Sequence, residues 1–346
     1  MPFLLCAIKT LATALRHHDH GNELYQATIL KMYCDSLELV GKALKGAQGA
    51  FDTEHSIAIM CLAVTDIIIP KLESGWMTHV KGLGDIAEHL GPEPFSSGIW
   101  HTLFIGFRPL LLISSILNRR KTFLAREEWN TTPFRGQTVS MMQLLLNKAS
   151  ELPILLERYY EIGELADASK NVVIEQLCKD FRNFVKRLRD WELSVRSRAP
   201  SPLFWLRPNP KNISPSYGNV LWFPSIMVAS SLTHYWAFEI IARQHLNILS
   251  RAITANTGCI DQGCVKTLTG STGEKPVEAL AEMICDSMPY LMQPEMRLCG
   301  PGSAFFTLTT AIQVFRSKED QDSFQLFRCQ QIVDRLANIG IHFPVI

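Results

Sequence analysis

The chain has 346 residues, with 34 Lys and Arg against 33 Asp and Glu for a net charge of +1, so no overall positive field draws it to nucleic acid or to an anionic membrane. Hydrophobic residues make up 47% and charged residues 19%, a balance that excludes a solvated, disordered polymer and favours a packed apolar interior.

In chain order, the first predicted helix covers about 3–18, and Gly21 follows it as a breaker. Its start, Met1 to Lys9, has no basic leader and places Lys9 inside what would be the apolar core of a signal peptide, which argues against secretion. Leu30, Tyr33, Leu37, Val40 and Leu44 recur at three and four residues, the apolar stripe of a second helix. The longest apolar run, Ile57 to Ile69, is interrupted by Thr65 and Asp66. It is shorter than the roughly 20 residues of a bilayer span, so we expect a buried core helix over 54–69 and no membrane partner. Pro70 ends it.

Further helices are expected at 74–90, before Gly91-Pro92, and at 98–118, 138–167, 171–198, 221–256, 276–292 and 302–317. Pro153 should kink or split the helix that contains it. Phe324, Phe327, Val333, Leu336 and Ile339 mark a closing amphipathic helix. Residues 199–220, with five prolines, read as a surface connector, and the Gly- and Thr-rich 257–275 as a second loop. Alternating strand patterns are nearly absent, so the expected class is all-α. It would be one large irregular helical domain or two packed halves, 1–198 and 221–346, joined by the connector.

Chemical signatures are sparse. The nine cysteines include no CxxC pair; Cys259 and Cys264 lie nearest each other, in a loop without histidine, so no metal site and no cofactor are expected. Mostly in apolar stretches, the cysteines read as small buried hydrophobes in a reducing compartment. His17, His18, Asp19 and His20 resemble a ligand string, but only His17 and His20 could share a helical face, and histidines at a helix C-terminus are favoured by the dipole alone. The loop Gly270 to Lys275 lacks the GKS or GKT ending and the preceding strand of a phosphate loop. Glu127 and Glu128 are adjacent, so their carboxylates diverge. The basic runs Arg119-Arg120-Lys121 and Lys186-Arg187-Leu188-Arg189 read first as solvated helix faces and second as import signals. Trp76, His79 and Gly82 share a helical face, fit either for a pocket or for a packed histidine beside a close helix approach.

Several strings, taken in order, resemble the regulatory domain of fungal zinc-cluster transcription factors. They are Trp76-x-x-His79-Val80-x-Gly82 with Leu90-Gly91-Pro92; Phe104 to Arg108 and Asn118 to Leu124 leading to Glu128-Trp129; Tyr235-Trp236-Ala237-Phe238; Ile284 to Leu291; and a closing helix around Ile332 to Gly340. The resemblance implies an all-α body that senses metabolites and meets a coregulator or a second copy of itself. The six-cysteine DNA-binding cluster of that family has no counterpart in this sequence, so direct nucleic-acid contact is not expected.

The resemblance implies a nuclear, regulator-like protein of fungal secondary metabolism, with the cytoplasm as the alternative location. The competing reading is a recruited cyclase or isomerase that needs no cofactor and acts on a small apolar intermediate by shape and cation–π stabilisation. Trp76, His79, Arg108, Tyr235 and Trp236 are the candidate pocket residues under either reading; no catalytic residue is assigned.

Overall fold

The computed structural model describes residues 1–17, 23–69, 75–164, 167–208, 219–257, 275–317 and 324–339. Its elements are α1 (Pro2–His17), α2 (Glu23–Ala47), α3 (Thr53–Ile68), α4 (Gly75–Leu90), α5 (Gly98–Leu117), α6 (Glu127–Thr131), α7 (Met141–Ala149), α8 (Leu152–Glu161), α9 (Asp167–Arg198), β1 (Trp205–Pro208), β2 (Asn219–Trp222), α10 (Ile226–Thr257), α11 (Val277–Leu291), α12 (Cys299–Arg316) and α13 (Phe324–Asn338). The fold is therefore all-α with one small antiparallel sheet. The chain divides into two compact units. The first is Met1–Leu117, Phe123–Thr138 and Gln330–Ile346; the second is Asn118–Thr122 and Val139–Cys329, so the described parts of the proline-rich segment, 199–208 and 219–220, belong to the second.

In the first unit α3 packs against α1, α2, α4 and α5. Its surroundings explain why its sequence is apolar nearly all round: Ala58, Ile59, Leu62, Ala63 and Ile68 are all buried. A capping box starts it, with the Asp52 carboxylate accepting from the His55 backbone N–H at 3.0 Å. The stripe expected on α2 is corrected at one position. Leu37 is exposed, and the buried row runs Ile29, Tyr33, Ser36, Val40. Ser36 stands where α1 crosses, its hydroxyl 2.8 Å from that of Thr10, and a leucine would not fit that polar contact. The close approach expected of Gly82 belongs instead to Gly84, where an added Cβ would lie 3.0 Å from Leu111 on α5; around Gly82 there is open space. Helix α5 is long and apolar enough to cross a bilayer by length and composition alone, yet Phe104, Phe107, Arg108 and Leu112 are buried within the unit.

In the second unit α10 is the hub, packed against α7, α9, α11 and α12. It buries Leu232, Tyr235, Trp236, Phe238 and Ile240. The helix expected over 138–167 is split into α7 and α8, with Pro153 in the first turn of α8, where its missing N–H costs nothing. The connector is corrected at its ends. Residues 205–208 and 219–222 pair as strands, Trp205 opposite Trp222 and Arg207 opposite Val220. Tyr290 on α11 holds β2 in place, with ring centroids 5.4 Å from Trp222 and 5.2 Å from Phe223. The closing stripe is corrected as well: on α13, whose residues from Gln330 on belong to the first unit, Cys329, Ile332 and Leu336 are buried, whereas Phe324 and Phe327 are 52% and 59% exposed.

Candidate functional site

A buried carboxylate is costly unless something partners it. Asp66 lies near the end of α3, its side chain fully closed to solvent, and neither carboxylate oxygen receives a hydrogen bond of ordinary geometry. The nearest basic side chain is His79 on α4, with Nε2 at 3.3 Å from Oδ2. The same Nε2 lies 2.8 Å from the Tyr33 hydroxyl of α2, whose ring meets the imidazole edge-on at 6.2 Å. Three helices thus bring a phenol, an imidazole and a carboxylate to one point. Burial first, and hydrogen-bond and charge interaction with Asp66 after it, raise the Tyr33 phenol above its ordinary range, so it stays protonated as a hydrogen-bond donor.

The start of α4 closes the site from another side. At Gly75 an added Cβ would sit 2.6 Å from Asp66 Oδ2, so the carboxylate occupies the volume that any other residue would claim. It also faces the N-terminal end of that helix, where negative charge is favoured. His79 keeps 14% of its side chain exposed and is the edge of the cluster nearest solvent. The arrangement offers an acceptor at Asp66 and a phenol donor at Tyr33, both within reach of the one nitrogen His79 Nε2.

Of the expected pocket residues, Trp76 and His79 come to this region, one turn apart on α4, with Trp76 buried. Arg108 belongs to the same unit but serves another cluster. Its Nη2 donates to Asn130 Oδ1 at 2.8 Å, and the guanidinium lies 5.6 Å from the Phe104 ring and 5.1 Å from that of Phe134. Complete burial lowers its pKa to about 9. Sequence reasoning missed Asp66 and Tyr33 as site residues. The signal for Asp66 was present, a carboxylate inside a long apolar run.

Tyr235 and Trp236 belong to the second unit and line a polar ladder between α9 and α10. The Tyr235 hydroxyl donates to Glu192 Oε2 at 3.3 Å, and burial, then the Glu239 charge, raise its pKa. Glu239 Oε1 accepts from Arg189 Nη2 at 3.0 Å and from Arg243 Nη1 at 3.3 Å. Trp236 packs edge-on against Phe204 at 6.0 Å. The ladder's charges pair with one another, which makes it a helix-joining device.

Among the described residues no group of three His, Cys, Asp or Glu side chains could hold a metal. His17 ends α1 and stacks on Tyr25 at 4.2 Å, while His18, Asp19 and His20, the breakers Gly21 and Pro70, the pair Cys259 and Cys264, and Gly270 to Glu274 lie outside the described residues. Glu127 and Glu128 are exposed at the start of α6. The basic runs are partly occupied: Arg119 lies over the Tyr160 ring at 4.0 Å, Arg120 pairs with Glu157, and Arg187 with Glu151. No protein-family model, no curated protein and no solved structure matches the chain.

Proposed function

We propose that this chain is a regulator-like helical body that recognises a small, mainly apolar metabolite and passes that signal to a protein coregulator or to a second copy of itself, without gripping DNA. The observation that carries the reading is the Asp66 carboxylate, closed to solvent with neither oxygen in a hydrogen bond of ordinary geometry, beside the His79 imidazole and the Tyr33 phenol. A buried acceptor without a well-formed hydrogen bond, in an apolar surround, favours a ligand with one hydrogen-bond donor on a hydrocarbon frame. The resemblance to fungal regulatory domains supplies the setting, a nuclear role in control of secondary metabolism. Trp76, one turn from His79, is the apolar neighbour best placed to meet such a ligand.

A second reading rests on the same three groups. A protonated phenol, an imidazole and a carboxylate within hydrogen-bond and ion-pair distances are an acid–base set, sufficient for a cofactor-independent isomerase or cyclase. One experiment separates the two. The purified chain is incubated with a metabolite extract from its source and analysed by mass spectrometry, alongside His79→Ala and Asp66→Asn. Retention of an unchanged compound by the wild type, lost in both variants at unaltered melting temperature, is the expected result; conversion of a compound favours the enzyme. If the wild type and both variants neither retain nor convert anything, both readings of this cluster fail.

A further inference from the structure

Two thiols face each other in the second unit, away from the Asp66 cluster. Cys285 on α11 and Cys329 on α13 are both buried, with sulfurs 3.7 Å apart, close enough for one S–H to point at the other sulfur. The next residue along α11 and the preceding one on α13 form an ion pair across the same helix contact, Arg328 Nη2 to Asp286 Oδ1 at 2.5 Å. That pair fixes the register of the two helices, so the sulfurs are held in opposition by a contact independent of them.

We infer that Cys285 and Cys329 form an oxidant-responsive dithiol that closes to a disulfide joining α11 to the early turns of α13. The roles of the two sulfurs differ. The contact between the two sulfurs, in which either S–H can donate, lowers the Cys329 pKa, as do the nearby Arg328 and Arg316 guanidiniums; the same contact and burial raise that of Cys285. Cys329 is then the sulfur that reacts first, because the thiolate is the nucleophile. With a hydroperoxide as oxidant, the Cys329 thiolate attacks one peroxide oxygen, forming a sulfenic acid and releasing hydroxide. The Cys285 sulfur next attacks the Cys329 sulfur; the S–S bond forms, the S–O bond breaks, and the sulfenic oxygen takes the Cys285 thiol proton and leaves as water, while the hydroxide from the first step takes the proton that Cys329 lost on forming its thiolate. Two thiols are oxidised, one peroxide is reduced, and two waters result. The contact lies in the first two turns of α13, whose Phe324 and Phe327 are exposed and give that end little apolar anchorage.

The test uses the whole wild-type chain. Trypsin leaves Cys285 and Cys329 in separate peptides that hold no other cysteine, Thr267 to Arg297 and Cys329 to Arg335. The reduced protein is exposed to hydrogen peroxide, its remaining thiols are alkylated, and the digest is read by mass spectrometry, with the exposed Cys34 and Cys299 as internal gauges of oxidant strength. We expect a cross-linked pair of these two peptides, lighter than their sum by two hydrogens and abolished by dithiothreitol. In Cys285→Ala, Cys329 should instead accumulate a sulfenic acid trapped by dimedone, whereas Cys329→Ala should leave Cys285 unlabelled. Recovery of alkylated Cys285 and Cys329 under peroxide that consumes Cys34 and Cys299 overturns the inference, as does a disulfide from either residue to another cysteine.

Discussion

At the scale of single residues, burial decides which side chains carry a charge. His234 on α10 is wholly enclosed, stacked on Phe306 at 5.9 Å with Nδ1 2.7 Å from the Ser230 carbonyl, and burial lowers its pKa from 6.5 to about 4. Between those two values the unfolded chain takes up a proton that the folded chain refuses, so stability falls as pH drops from about 6.5 towards about 4. The full swing corresponds to roughly 3 kcal/mol at about 1.4 kcal/mol per unit. His234→Phe keeps an aromatic ring against Phe306 and removes the titration. Urea unfolding at stepped pH should therefore show a shallower acid loss in the variant; His245, also lowered by burial, leaves part of the slope in place. An unchanged slope between those pH values rules this out. The sequence named His79 from its place beside Trp76 but did not name its partners. Tyr33 looked like one more member of an apolar stripe, and Asp66 like a flaw in an apolar run, because the pairing across three helices is a tertiary fact that no local period encodes.

Among elements, the most exacting junction joins the end of α11 to the start of α12. An added Cβ at Gly300 would sit 2.0 Å from the Leu291 carbonyl oxygen and 2.8 Å from the Met296 Cβ, so the backbone itself would have to move. Two positions on, Gly302 is exposed with open space around it. The two alanine substitutions should therefore have opposite signs. Gly300→Ala is expected to cost at least the upper end of the about 1–3 kcal/mol usual for overpacking, whereas Gly302→Ala should stabilise by about 0.5–1 kcal/mol through helix propensity. Chemical denaturation of both variants checks this, and equal effects would contradict the packing. Most helices were legible because a 3.6-residue apolar period survives in each. The hairpin was not, since four-residue strands are too short for a period of two to register, and their partner residues stand beyond a run of prolines. The split between α7 and α8 was legible from Pro153 alone.

For the whole molecule, charge sets what can be gripped at a distance. With a net charge of +1 the chain has no overall positive field, and several residues of its basic runs are already engaged. Arg119 is held over Tyr160, Arg120 faces Glu157, Arg187 pairs with Glu151, and Arg189 is bound by the buried Glu239. Exposed ion pairs of this kind contribute little stability, but each offers a phosphate less than a bare cation would. The chain by itself should accordingly bind duplex DNA more weakly than the roughly 10⁻⁴ M floor of ordinary non-specific binders at physiological salt, with little dependence on salt concentration. Fluorescence anisotropy of a labelled duplex titrated with the chain, at low and physiological salt, measures both quantities. Micromolar binding with a steep salt slope would mean that a basic surface is presented after all, and the proposal that this body acts through a metabolite and a partner protein would lose its reason for excluding the promoter.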